Sequence, residues 1–375
     1  MNKTKQRYKS IDIVRGLSML IMIFGHMLDW WLTEMDHWFF VFIAGYLEPI
    51  AASGFVFIAG TSTILSYNNS ISKPEASDKL YMQKLRNAYI IRALLILLTS
   101  FFYNFGVAIM YKDFNLLWSW NILQTLGFAL LLSWILLKTS KIFRVIVCII
   151  VLIINEFLFL SLIGYQGEPN FYGVIYHLLY NPVQLYPILP FFTSFILGTI
   201  IGDIMYEFNK LENEEERKST IVKKLVIPTF LIGILLTIFG IVYLFPSFLL
   251  WYTISARLYA IGIVLMLISF LIGMEENNMF NAKNKRYRFF FFYSYYSFTI
   301  YLAHNPLYFL FYRQLNLYIF WIAFGISMFF ITILLKIIYD KFGKYASLNI
   351  GISFVGSYYA AKIYNKKLAK KNMIG

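Results

Sequence analysis

Arg15 and His26 stand eleven residues apart in the run SIDIVRGLSMLIMIFGHMLDWW, residues 10–31, which is otherwise almost wholly apolar. At 100° per residue that spacing is three helical turns plus about 20°, so both side chains share one face, ~16 Å apart along the axis. Ionisable groups at membrane depth are expensive and tend to mark a function. The pair makes chemical sense. A guanidinium at the inner edge can hold phosphate oxygens, and an imidazole deeper in can accept a proton near neutral pH. Asp12 lies one turn before Arg15, and Asp29 one turn after His26, where its carboxylate could fix the imidazole tautomer. The competing account is a snorkelling arginine and a histidine satisfied by helix packing.

Other polar groups are expected at similar depth. Glu48 lies in GYLEPIAASGFVFIAG, where Pro49 with Gly45 and Gly54 suggests a broken or kinked span that would turn backbone groups toward a cavity. His304 sits in YSFTIYLAHNPLYF beside Asn305 and Pro306, about 24 Å beyond Arg288 if the stretch is fully helical. Arg257 lies two turns in from the outer end of its span, and Asn155–Glu156 are deep in theirs. Several such groups of both signs imply a polar cavity inside a helical bundle. Arg86 and Arg92 mark the inner end of the third span but are 240° apart round a helix, so they do not share a face. Gln124, in NILQTLG, suits an interhelical hydrogen bond as well as a ligand contact. His37 falls in the first outer connection. No His/Cys cluster has metal spacing and no phosphate-cradling glycine loop appears, which argues against a metal site and a nucleotide-driven pump.

The elements that must position these groups are apolar helices. Of 375 residues, 59% are hydrophobic and only 14% charged, more apolar side chain than a soluble domain could hide. Runs of 18 or more apolar residues recur, each long enough to cross a ~30 Å hydrocarbon core. About ten spans are expected: 12–32, 38–67, 88–110, 118–137, 142–164, 187–207, 223–246, 249–274, 289–312 and 317–338. The fold class is an all-α polytopic transmembrane helical bundle, with a transmembrane domain over 1–345 and a basic cytoplasmic tail over 346–375. The net charge of +14 is a topology signal. MNKTKQRYK, the 68–87 loop, KTSKIFR, NKLENEEERKSTIVKK, NAKNKRYR and NKKLAKKN all fall on one side, so both termini are expected in the cytoplasm and a nucleic-acid partner is set aside. The outer connection 165–187 carries no Lys or Arg and is long enough to expect a folded segment. Trp30, Trp31, Trp38, Trp118 and Trp120 gather at outer span ends, as an aromatic belt would.

With these residues in place the chain resembles the heparan-α-glucosaminide N-acetyltransferase-type membrane proteins. SIDIVRGL is similar to the family's opening, and the Arg15–His26 spacing is that of the related type-3 membrane acyltransferases. GFVFIAGTSTILS, ILQTLG, YPILPFFTSFILGTIIG and SFTIYLAHNPL follow in the expected order and cover most of the chain. The resemblance implies transfer of an acyl group, often acetyl, from cytosolic acyl-CoA (acetyl-CoA) to a hydroxyl or amine of an extracytoplasmic sugar, glycan or glycolipid acceptor. Arg15, Arg86 and Arg92 would then meet the CoA phosphates. His26, with Asp29, would act as base, and Arg257, His304, Asn305 and Gln124 would contact the acceptor. In the heparan-type branch the position of His26 is often asparagine, and the working histidine lies in the first outer loop, about twenty residues before an F-x-F-x-x-G segment. His37 precedes Gly60 by a similar distance and is the rival base, with Glu48 near the place of the family's aspartate. The alternative from another class is a transporter or flippase for a sugar- or lipid-linked substrate, in which the same buried charges form a translocation path. A homo-oligomer is compatible with the sequence, and the expected location is the cell membrane.

Overall fold

The computed structural model describes residues 7–181, 186–250, 253–280 and 285–374. The side chains of Glu48, Lys285, Arg286 and residues 370–374 lie outside that description, so the candidate Glu48 is placed only by its backbone. Fourteen α-helices order the described chain: α1 Lys9–Trp31, α2 His37–Ile71, α3 Lys79–Tyr111, α4 Ile122–Leu136, α5 Lys141–Leu162, α6 Phe171–Tyr180 and α7 Ile188–Phe208 come first. They are followed by α8 Glu214–Ile221, α9 Ile227–Val242, α10 Ile254–Glu276, α11 Lys285–Tyr295, α12 Ser297–Ala303, α13 Leu317–Phe342 and α14 Leu348–Ile374. Among the described residues no strand forms, and nine helical stretches are long and apolar enough to cross a membrane. Lipid offers the backbone no hydrogen bonds, so each span must close its own. The outward faces carry bare large hydrophobics such as Ile142, Phe157, Leu235 and Phe330, which would be an aggregation surface in water and are ordinary against lipid.

The chain divides into two units, Met1–Ile58 with Phe208–Asn349, and Ala59–Glu207 with Ile350–Gly375. In the first, α1 packs against α10, α11, α12 and α13. Gly16 permits the closest of these contacts, since a Cβ there would stand 2.4 Å from the Phe290 carbonyl oxygen on α11. The N-terminal end of α1 borrows its cap. Tyr8 makes no side-chain capping hydrogen bond, and the Glu275 carboxylate accepts from the Lys9 and Ser10 amides at 2.7 and 2.9 Å. A carboxylate there also complements the helix dipole. One turn on, buried Asp12 accepts from Arg7 Nε (2.6 Å) and Nη2 (3.0 Å), the Tyr287 hydroxyl (2.9 Å) and the Ser294 hydroxyl (3.1 Å). At the other end of α1 the 32–36 connection is pinned to the segment before α13. The Arg313 and Leu315 amides donate to the carbonyls of Trp30 and Trp31, and Thr33 donates back to Leu315.

In the second unit the C-terminal part of α2 packs on α7. A Cβ on Gly60 would lie 2.0 Å from the Phe195 carbonyl oxygen, and the Thr61 hydroxyl donates to the Gly198 carbonyl at 3.0 Å. Two sequence motifs, GFVFIAGTSTILS and YPILPFFTSFILGTIIG, are therefore the two sides of one helix contact. Asp203 on α7 accepts from Asn68 at 2.7 Å and is ion-paired with fully buried Arg144, which also donates to the Thr199 carbonyl at 3.1 Å. α14 crosses α3, bringing Gly356 against the backbone of Ala88 and Arg92.

Two expectations change. The span expected over 289–312 is not one helix: it breaks at Tyr296, between α11 and α12, and again at His304, after which Asn305–Phe309 makes a 3₁₀ turn. Pro306 explains the second break, because its ring disfavours helical backbone at Asn305. At Pro49, where a broken or kinked span is expected, the helix is not broken, since α2 runs through it over 35 residues. One proline removes a single intrahelical bond, and the turns on either side hold. Within the basic stretch KTSKIFR, α5 begins at Lys141, capped by Ser140, and carries Arg144 into the interior. The long connection 165–187 does contain a helix, α6, capped by Asn170; residues 182–185 fall outside the described chain.

Candidate functional site

The residues capable of chemistry gather in the first unit, where α1 ends and α2 begins. The sequence between Leu32 and Asp36 reverses the chain, and this brings His37, the first residue of α2, back onto the last turn of α1. His37 Nε2 lies 3.0 Å from Asp29 Oδ1. A carboxylate accepts, so Nε2 carries the proton and Nδ1 keeps the lone pair. The two side chains are 26% and 33% exposed, so the pair can exchange protons and meet an entering molecule. Asp29, expected to orient His26, is instead hydrogen-bonded to His37.

His26 has different company. Its ring stacks on Trp30 (centroids 4.9 Å, 20°) and on His304 (4.7 Å, 27°), and Trp30 and His304 are themselves near-parallel at 5.7 Å and 7°. Trp30 is one turn from His26, so α1 supplies two of the three rings; the end of α12 supplies the third. His304 is buried, and its Nδ1 lies 2.6 Å from the Tyr301 carbonyl oxygen of its own last turn. Near-parallel offset rings contribute about 0.5–1.5 kcal/mol beyond burial, and they fix the orientation of both imidazoles.

The remaining candidates divide between the units. Arg15 is half-buried on α1, three turns from His26, and Arg257 is buried in the first turn of α10. Asn305 opens the 3₁₀ turn after His304. Arg86 and Arg92 belong to the second unit, where Arg86 is exposed and Arg92 half-buried on α3 beside α14. Gln124, also there, is fully buried on α4. Its Oε1 accepts from Asn104 Nδ2 at 3.3 Å, in a network where Asn121 caps α4 and donates to Asn104 at 2.6 Å. That is the interhelical role its sequence position suited.

Sequence reasoning missed several participants. Trp30 reads from the sequence as part of an aromatic belt, although its i+4 spacing from His26 is a signal of the stack it forms. Arg7 looked like one charge of a basic tail, yet it is the bidentate partner of Asp12 and lies over the Phe291 ring at 4.5 Å. Burial works against the Arg7 cation, but the hydrogen bond and charge of Asp12 outweigh it and hold its pKa above the ordinary value. Arg144 and Asp203 gave no sequence signal, since nothing in the spacing of α5 and α7 says that they meet.

Fold and site together define a multi-pass integral membrane protein with a carboxylate-oriented imidazole at the end of a helical bundle. The family described as heparan-alpha-glucosaminide N-acetyltransferase, catalytic, matches residues 7–230, well over half of the chain, and the protein belongs to that family. Its activity is thus of the membrane acetyltransferase type. A search of curated proteins found no match.

Proposed function

We propose that the protein moves an acyl group, acetyl first of all, from cytosolic acyl-CoA to an amine or hydroxyl of an extracytoplasmic sugar or glycolipid, with His37 as the base. The His37–Asp29 hydrogen bond carries this reading. Proton transfer needs an imidazole held in one tautomer, and a carboxylate on one ring nitrogen does that while leaving the other free. The basic-residue bias supports cytoplasmic termini, including the basic segment 346–375, and this sets the α1–α2 turn on the far side.

His37 Nδ1 takes the proton of the acceptor N–H or O–H as that atom attacks the thioester carbonyl carbon. Asp29 stabilises the imidazolium that forms. Collapse of the tetrahedral intermediate breaks the C–S bond, and the imidazolium returns its proton to the CoA thiolate. Buried Arg257 and half-buried Asn305, in the same unit, are our candidates to stabilise the oxyanion or hold the acceptor. Arg15, at the cytoplasmic end of the same helix, would hold donor phosphates. Arg86 and Arg92 are secondary candidates within their own unit, and Gln124 is assigned to helix packing.

His37→Ala should lower acyl transfer about 10²–10⁴-fold, the usual cost of losing a general base, and leave acetyl-CoA binding near wild type. His26→Ala should cost less, because it removes a stacked ring and not the carboxylate-oriented base. Initial rates of both variants decide it. A dead His26→Ala beside an active His37→Ala would return the base to the bundle interior.

A further inference from the structure

His304 has a hydrogen-bonding capacity that the acyl-transfer mechanism above does not use. Its Nδ1 faces a carbonyl oxygen, which only accepts, so the proton sits on Nδ1 and Nε2 carries a lone pair. Ring geometry turns Nε2 away from the helix that Nδ1 faces. That atom is buried and has no hydrogen-bond partner among the described residues, in a ring only 3% exposed. Buried polar atoms are nearly always satisfied, and an orphan asks for an explanation. Packing alone is a poor one, because a phenylalanine would stack on His26 and Trp30 without burying a lone pair. The surroundings are also those of a site: the stacked His26 and Trp30 lie on α1 within one turn of Asp29, the partner of His37.

We propose that His304 Nε2 accepts a hydrogen bond from an N–H or O–H of the acceptor substrate, so that His304 is a binding residue selecting amino- or hydroxy-sugar acceptors. This rests on the acyl-transfer reading. A site built to receive a substrate N–H or O–H rejects molecules that lack it, since its own acceptor is then left unpaired. The stack with His26 and Trp30 holds the ring so that the lone pair has a fixed direction.

The test compares equilibrium binding of methyl α-glucosaminide and of acetyl-CoA to the full-length protein in detergent. The proteins are wild type, His304→Phe, which keeps the ring and loses the lone pair, and His304→Gln, which restores an acceptor oxygen. Thermal melts show that each is folded. We expect His304→Phe to weaken the sugar about 10-fold relative to acetyl-CoA, as one lost hydrogen bond would, and His304→Gln to recover most of that loss. Unchanged sugar affinity in His304→Phe would overturn the proposal. So would equal weakening in both variants, or a wild-type protein that does not bind the sugar at all. Failure of the acyl-transfer reading looks different: both ligands would bind wild type, with no thiol released.

Discussion

Three carboxylates in the first unit have definite tasks, and the tasks separate binding from chemistry. Glu275 caps α1, Asp12 gathers Arg7, Tyr287 and Ser294, and Asp29 holds His37. The Arg15 guanidinium, one turn on from Asp12, is of the type suited to phosphate oxygens, and a contact so far from the thioester contributes mainly to ground-state affinity. Arg15→Ala should raise the Michaelis constant for acetyl-CoA about 10–100-fold, as for a lost charge-assisted hydrogen bond, and change kcat little. Steady-state kinetics with varied acetyl-CoA read this directly. An unchanged Michaelis constant with a reduced kcat would remove Arg15 from the phosphate site and place it in the chemical step.

Among the elements, the glycine-bearing contact between α2 and α7 explains why two family-like motifs occur where they do. With a Cβ 2.0 Å from a carbonyl oxygen, no side chain fits at residue 60 unless the helices separate. Gly60→Val should lower the thermal midpoint in detergent, with a loss of about 1–3 kcal/mol for overpacking. Gly106→Ala on α3, where a Cβ meets nothing within 4 Å, should be neutral or slightly stabilising. Equal melting of Gly60→Val and wild type would contradict the α2–α7 contact. The sequence made the helices themselves plain, because apolar runs of membrane length leave few alternatives. It could not show where a run breaks. The stretch 289–312 reads as continuous, yet Pro306 and the non-helical Tyr296 divide it, and only this division sets His304 at a helix end.

At the scale of the whole molecule, the family and the membrane character could be read from ordered motifs, while the pairing inside the site could not. Asp29 is three residues from His26 and eight from His37, so helical periodicity favours the nearer histidine. The chain reversal at 32–36 makes the distant one its partner, and the ties from Arg313 and Leu315 to α1 fix that reversal. The same polar groups would serve a translocation path, and the two functions differ in whether a bond is broken. Purified protein should therefore be incubated with acetyl-CoA, with and without methyl α-glucosaminide, while free thiol and acetylated sugar are both followed. The account predicts thiol release that rises with the sugar and matches the acetylated product one for one, on wild type and not on His37→Ala. Sugar moved across a vesicle membrane with no thiol released and no acetylated product formed would contradict it.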